Sequence, residues 1–178
     1  MRTQHTTGLL LPASMTRCFA CWRLSAAAML AALLGFLNTA AALEPVKLME
    51  GFDQARLKIV TACGESTEVS VYVAKTPRQH AQGLMNVRSM KSHEGMLFIY
   101  ARAAPITMWM KNTYIPLDMI FADAQGRIVH MHAGAKPHDT TVISSVAKAA
   151  LVLELNAGSI EEFGIAVGDR ISLLPEKG

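Results

Sequence analysis

Apolar and polar residues alternate along the chain in short runs, and most of these runs end at Gly, Pro, Asn or Asp. Period-two alternation rich in β-branched residues is the signature of strands with one buried face. Eight segments fit it: Leu57–Ala62, Glu68–Ala74, Gly95–Tyr100, Ile106–Lys111, Leu117–Ala122, Arg127–His132, Ala150–Asn156 and Arg170–Leu174. One segment carries the helical period instead. In "KTPRQHAQGLMNV", Thr76 suits an N-cap and Pro77 the first helical position, and Ala81, Leu84 and Met85 give one apolar face. A second helical turn is expected at Ser159–Ile165. The pattern predicts a mainly β domain, a small jelly-roll-like sandwich or a partly closed barrel of about eight strands with one or two short helices.

The first forty-two residues stand apart from this pattern. Arg17 and Arg23 precede an apolar run from Leu24 to Leu37, and Ala40-Ala41-Ala42 closes it. A basic start, an apolar stretch and small residues at the cleavage point define a secretory signal peptide. The run is shorter than the ~20 residues a membrane helix needs, although a retained N-terminal anchor is the alternative. Met1 and Met15 are both candidate starts. The expected organisation is a cleaved signal peptide at 1–42, an extension at 43–56 and one β domain at 57–178. The chain then resides in the periplasm or outside the cell, touches the membrane only through the leader, and acts as a monomer.

Removing the leader changes the charge. Cleavage leaves 178 − 42 = 136 residues, and without Arg2, Arg17 and Arg23 it holds 17 − 3 = 14 basic against 14 acidic residues. The basic balance belongs to the leader, so no nucleic-acid partner is expected. Cys18 and Cys21 leave with it, so their C-x-x-C spacing is no redox or zinc motif. Cys63, at the end of a strand-like run, is expected to be a buried structural thiol, with a reactive thiol as the alternative.

Chemistry concentrates in "ITMWMKNTYIPLDMIF", residues 106–121. Pairing 106–112 antiparallel with 117–123 puts Met108 and Met110 against Met119 and Phe121 on an apolar face. The other face then holds Trp109 and Lys111, with Lys111 directly opposite Asp118. The pair has a structural reading, a cross-strand ion pair beside the turn-former Asn112. It also has a functional one, an aromatic platform beside a cation and a carboxylate. In "LVLELNAG", alternation separates Glu154 from Leu153 and Leu155, and Glu154 could join that surface. The candidate ligand-binding residues are therefore Trp109, Lys111, Asn112, Asp118 and Glu154. No catalytic residue is assigned, and no cofactor is expected.

Three function classes remain. The first is a non-catalytic binding or accessory module for a saccharide or a cell-envelope component, since Trp beside polar groups suits sugar stacking. The second is a hydrolase or lyase using Asp118 and Glu154, which requires the two carboxyls to share a cleft. The third is a copper or zinc binder using His130 and His132, which an i, i+2 spacing points the same way from a strand, together with His138. Solvent-facing histidines are the plain alternative to the third. No nucleophile triad, phosphate-binding glycine loop or zinc cysteine set is present.

The fragments "QGLMNVRSM…EGMLFIY", "WMKNTYIPLDMIF" and "ALVLELNAGSIEEFGIAVGD" together resemble a widespread family of small bacterial and archaeal proteins, the domain of unknown function numbered one hundred and ninety-two. The resemblance runs from about Leu57 to Leu174. It implies a jelly-roll-like β-sandwich, often behind a signal peptide, and brings no reaction or cofactor with it. Val87 stands where members often have Arg, with Arg88 one step away. The His130–His132 pair is not part of the family pattern.

Overall fold

The computed structural model describes residues 49–175. Residues 1–48, on which the expected signal peptide and the start of the expected extension fall, lie outside the described residues. Seven strands form: β1 (Asp53–Val60), β2 (Ser66–Ala74), β3 (Glu94–Met108), β4 (Leu117–Ala122), β5 (Ile128–Ala135), β6 (Ile143–Asn156) and β7 (Arg170–Leu173). Two short helices, α1 (Pro77–Gln82) and α2 (Ser159–Glu162), are the helices among the described residues. β1 begins at Asp53, inside the segment assigned from sequence to the extension.

Thr76 caps α1 as its residue type predicts. Its hydroxyl accepts from the Gln79 N–H while the Gln79 side chain accepts from the Thr76 N–H. This reciprocal capping satisfies two donors that the first turn would otherwise leave open. α1 links β2 to β3, the one parallel pair among the strands. A parallel pair needs such a crossover connection.

All seven strands belong to one sheet, ordered β5-β4-β6-β3-β2-β1-β7. Its two ends approach each other: Arg127 bridges Arg170, the Ile128 N–H donates to Asp169, and the Ile171 N–H donates to Gly126. The sheet is thus a curled half-barrel, close to the partly closed barrel, and the expected two-sheet sandwich is not what forms. One apolar cluster draws on every strand, from Leu57 and Val71 through Leu97, Ile120, Ile128 and Leu155 to Ile171. The opposite face carries Met96, Phe98, Leu117, Met119, Phe121 and Val152. It is covered by Leu84 and Val87 after α1 and by Met110 and Ile115 before β4. Full burial of a side chain such as Phe121 contributes ~1.5–3 kcal/mol.

Two expected strands are one. Gly95–Tyr100 and Ile106–Lys111 join in β3, which runs on through Pro105 with a register shift on either side of Ala104–Pro105. Pro is tolerated because β2 pairs with β3 only as far as Phe98, so the outer half of β3 is an edge on that side. β6 likewise starts at Ile143, well before the expected Ala150, because its first half is largely solvent-facing and hides its periodicity.

The expected 106–123 hairpin does not exist. β3 ends by pairing Met108 with Ile143 of β6, while β4 lies between β5 and β6. Residues 109–116 are therefore a loop that leaves one strand pair and enters another. β4 is buried along its whole length, so it needs apolar strands on both sides rather than the polar partner face the hairpin offered. Cys63, expected to be buried, is exposed in the β1–β2 turn.

Gly95 lies where β3 passes closest to β6. A Cβ there would fall 2.5 Å from the Glu154 carbonyl oxygen and 2.7 Å from Leu155 Cδ2. Gly95→Ala is expected to destabilise the domain by about 1–3 kcal/mol through overpacking. Urea unfolding measures this, and unchanged stability would show that β6 yields there freely.

Candidate functional site

Glu154 sits in the middle of the sheet, opposite Met96 on β3 and Met119 on β4. Strand phase sends its side chain to the Met96–Phe98–Tyr100 face. It is 4% exposed, and none of the ion pairs among the described residues involves it. Burial raises its pKa from 4.5 to about 8, so at neutral pH it is a neutral carboxylic acid. Such a group can both donate and accept a hydrogen bond.

Above it lies a cavity of about 270 Å³. Phe98, Tyr100, Thr107 and Met108 line it from β3, His80 and its neighbours from α1, and Trp109, Lys111 and Thr113 from the following loop. Trp109 is 52% exposed, unusual for so large an apolar side chain, and the Lys111 ammonium lies 5.6 Å from its ring centroid. Cation–π attraction of this kind contributes roughly 0.5–1 kcal/mol at an exposed site. The His80 ring stands 4.5 Å from that of Tyr100, and His80 Nε2 is 3.1 Å from the Ala74 carbonyl oxygen. A carbonyl only accepts, so Nε2 carries the hydrogen. The Tyr100 hydroxyl is held above its ordinary pKa, first by burial and then by the charge Glu154 would carry when ionised.

Three of the five sequence-predicted residues, Trp109, Lys111 and Glu154, meet in this cavity. Asn112 lies at its border in a left-handed conformation (φ 56°), with its amide 4.0 Å from the sulfur of the lining residue Met85. Asp118 is elsewhere. It pairs in register with Leu155 and points to the opposite face of the sheet from Glu154. The expected Lys111–Asp118 ion pair does not form. The Asp118 carboxylate accepts instead from three backbone N–H groups, those of Gly134, Gly158 and Ile160, at 2.8, 3.0 and 2.9 Å. It ties β5 and the start of α2 to β4.

The histidines are dispersed. The His130 ring packs on Phe121 and His132 lies opposite Met119, whereas His138 meets the edge of Tyr114. Among the described residues no group of three or more His, Cys, Asp or Glu could hold a metal ion.

His80, Tyr100, Thr107 and Thr113 also line the cavity, and nothing in the local sequence marks them as site residues. Tyr100 shares strand phase with Met96 and Phe98, but only the β3–β6 register brings it to Glu154. A second cavity of about 370 Å³ lies along β1 and β2 beside Arg56, Tyr72 and Glu94. Arg56 there is already bonded to Glu68 at 3.0 Å, and no group combines burial with an open hydrogen-bonding capacity as Glu154 does.

The molecule is thus a half-barrel β domain with a polar, aromatic-edged pocket on its covered face. It belongs to the DUF192 family (Uncharacterized ACR), whose model matches residues 58–173. Two crystal structures are similar. One is a Sinorhizobium meliloti protein whose name proposes a transcription regulator: 42% identity over 68% of this chain and 95% of that one, TM-score 0.68. The other is a Novosphingobium aromaticivorans protein of unknown function: 31% identity over 69% of this chain and 87% of that one, TM-score 0.66. No curated protein matches the chain.

Proposed function

We propose that the chain is an exported, non-catalytic binding module whose pocket takes a saccharide of the cell envelope. The observation that carries this reading is the half-exposed Trp109 at the edge of the cavity that Glu154 lines. An indole beside hydrogen-bonding groups suits a sugar ring, which has apolar faces and a polar rim. Tyr100, Thr107, Lys111 and the neutral Glu154 supply the polar groups. Export follows from the leader sequence.

A thermal-shift screen of mono- and oligosaccharides tests the proposal, because a ligand that binds only the folded state raises the melting temperature. Trp109→Ala is expected to weaken binding by about tenfold or more while changing stability by only about 0.5 kcal/mol, as suits an exposed side chain. Undiminished binding by this variant would refute the role of the ring.

A hydrolase or lyase is the second reading. Glu154, with its raised pKa, fits a proton donor. Its expected partner Asp118 lies across the sheet, however, so a two-carboxylate mechanism has only half its parts in the pocket. A role in transcription, which one relative's name proposes, draws no support from the helices: among the described residues the longest has six residues, too short to read a DNA groove.

A further inference from the structure

The pocket's charges go further than its shape. Lys111 lines the cavity, and among the described residues it is in no salt bridge. Its visible partner is the Trp109 ring, a weak one for an ammonium. Glu154 lines the same cavity, is buried, and is not within ion-pair distance of Lys111. Lys111 is exposed at the cavity's rim, so its ammonium is open to an anionic group of a ligand, and a neutral sugar leaves that charge unused.

We propose that the ligand bears a carboxylate, seated between the Lys111 ammonium and the Glu154 carboxyl, so that the pocket selects acidic sugars such as hexuronic acids or N-acetylmuramic acid. This rests on the saccharide reading and names its substrate class. Lys111 would give the carboxylate a charge-assisted hydrogen bond. Glu154 in its neutral form would donate a second. Ionised Glu154 would instead repel the ligand, so binding weakens as pH rises through about 8. The groups facing Glu154 are Tyr100 from β3, His80 from α1 and Lys111 from the 109–116 loop, all lining the cavity. From β4 it meets Met119, and His132 on β5 lies beyond that residue.

Calorimetric titration of the full chain with glucuronate against glucose, and with N-acetylmuramate against N-acetylglucosamine, tests this. At about pH 6.5 the acidic member of each pair should bind at least about tenfold more tightly, and that preference should vanish in Lys111→Met. Glu154→Gln, which cannot ionise, should lose the decline in affinity between about pH 7 and pH 9; a decline that persists in this variant would overturn the role of Glu154. Equal binding of acidic and neutral sugars would overturn the carboxylate seat and leave the saccharide reading standing. A simple carboxylate such as lactate binding as tightly as glucuronate would do the reverse. If none of the sugars binds, both fall.

Discussion

Glu154→Gln is expected to make the protein more stable than the unsubstituted chain at alkaline pH and no more stable at acid pH. In the unfolded chain this carboxyl ionises near 4.5, whereas burial holds its proton to about 8 in the fold. Below about pH 4.5 both states are protonated and the group adds no penalty. Between the two values unfolding releases a proton, so stability falls as pH rises. Above about 8 both states are ionised and the loss is complete. A gap of 8 − 4.5 = 3.5 pH units, at about 1.36 kcal/mol each, sets an upper figure of about 5 kcal/mol. Gln mimics the neutral acid and does not titrate. Urea unfolding from about pH 5 to pH 9 should therefore show the two proteins' stabilities diverging by about 3–5 kcal/mol. Parallel curves would mean that the carboxyl is hydrated in the fold. A buried acid with no ion-pair partner in an inner strand of a sheet is a poor choice for stability alone, which is why it marks a candidate site.

The second large effect is expected at Asp118, through stability rather than binding. Asp118→Ala leaves three N–H donors, of Gly134, Gly158 and Ile160, without their acceptor. Hydrogen bonds to a charged group contribute ~1.5–3 kcal/mol each and are not additive, so a loss of about 3–5 kcal/mol is expected. The melting temperature should fall by roughly 10–20 °C. Asp118→Asn should cost less. Its single carbonyl oxygen can serve Gly158 and Ile160, which share one Asp118 oxygen, but its amide then faces the Gly134 N–H, donor against donor. Thermal denaturation of both variants checks the order. If Asp118→Ala instead abolished sugar binding with stability unchanged, Asp118 would be a site residue after all.

The same residue shows how far the sequence could be read. Strand phase is legible: Leu153 and Leu155 face away from Glu154, and Met119 lies in the core. Met110 is buried there too, but from the loop, while Met108 packs against that core and lines the cavity. The α1 cap was legible because Thr76, Pro77 and Gln79 act within one turn. Pairing was not. Trp109 to Asp118 looks like a tight hairpin because a turn-former sits between two apolar runs. Yet β3 and β4 each pair with β6, whose partner residues lie roughly thirty to sixty positions further on. Local alternation carries no information about which strand a segment will meet, so Lys111 and Asp118 were placed together when the sheet separates them. The chemistry of Glu154, Trp109 and Lys111 marks them in the sequence, and all three line the cavity. Tyr100 and His80 carry no such mark, because only the β3–β6 register and the α1 crossover bring them near.

Everything proposed for this chain depends on the cavity edged by Trp109 receiving a ligand. A two-dimensional ¹⁵N NMR titration of the full chain with glucuronate or N-acetylmuramate tests it most directly. Saturable shifts are expected for the Trp109 indole N–H and for backbone amides at residues 80–84 and 107–113, the indole signal being assigned by its loss in Trp109→Phe. Saturable shifts confined to the groove beside Arg56 and Tyr72, or an indole signal that stays fixed while the sugar binds, would contradict it.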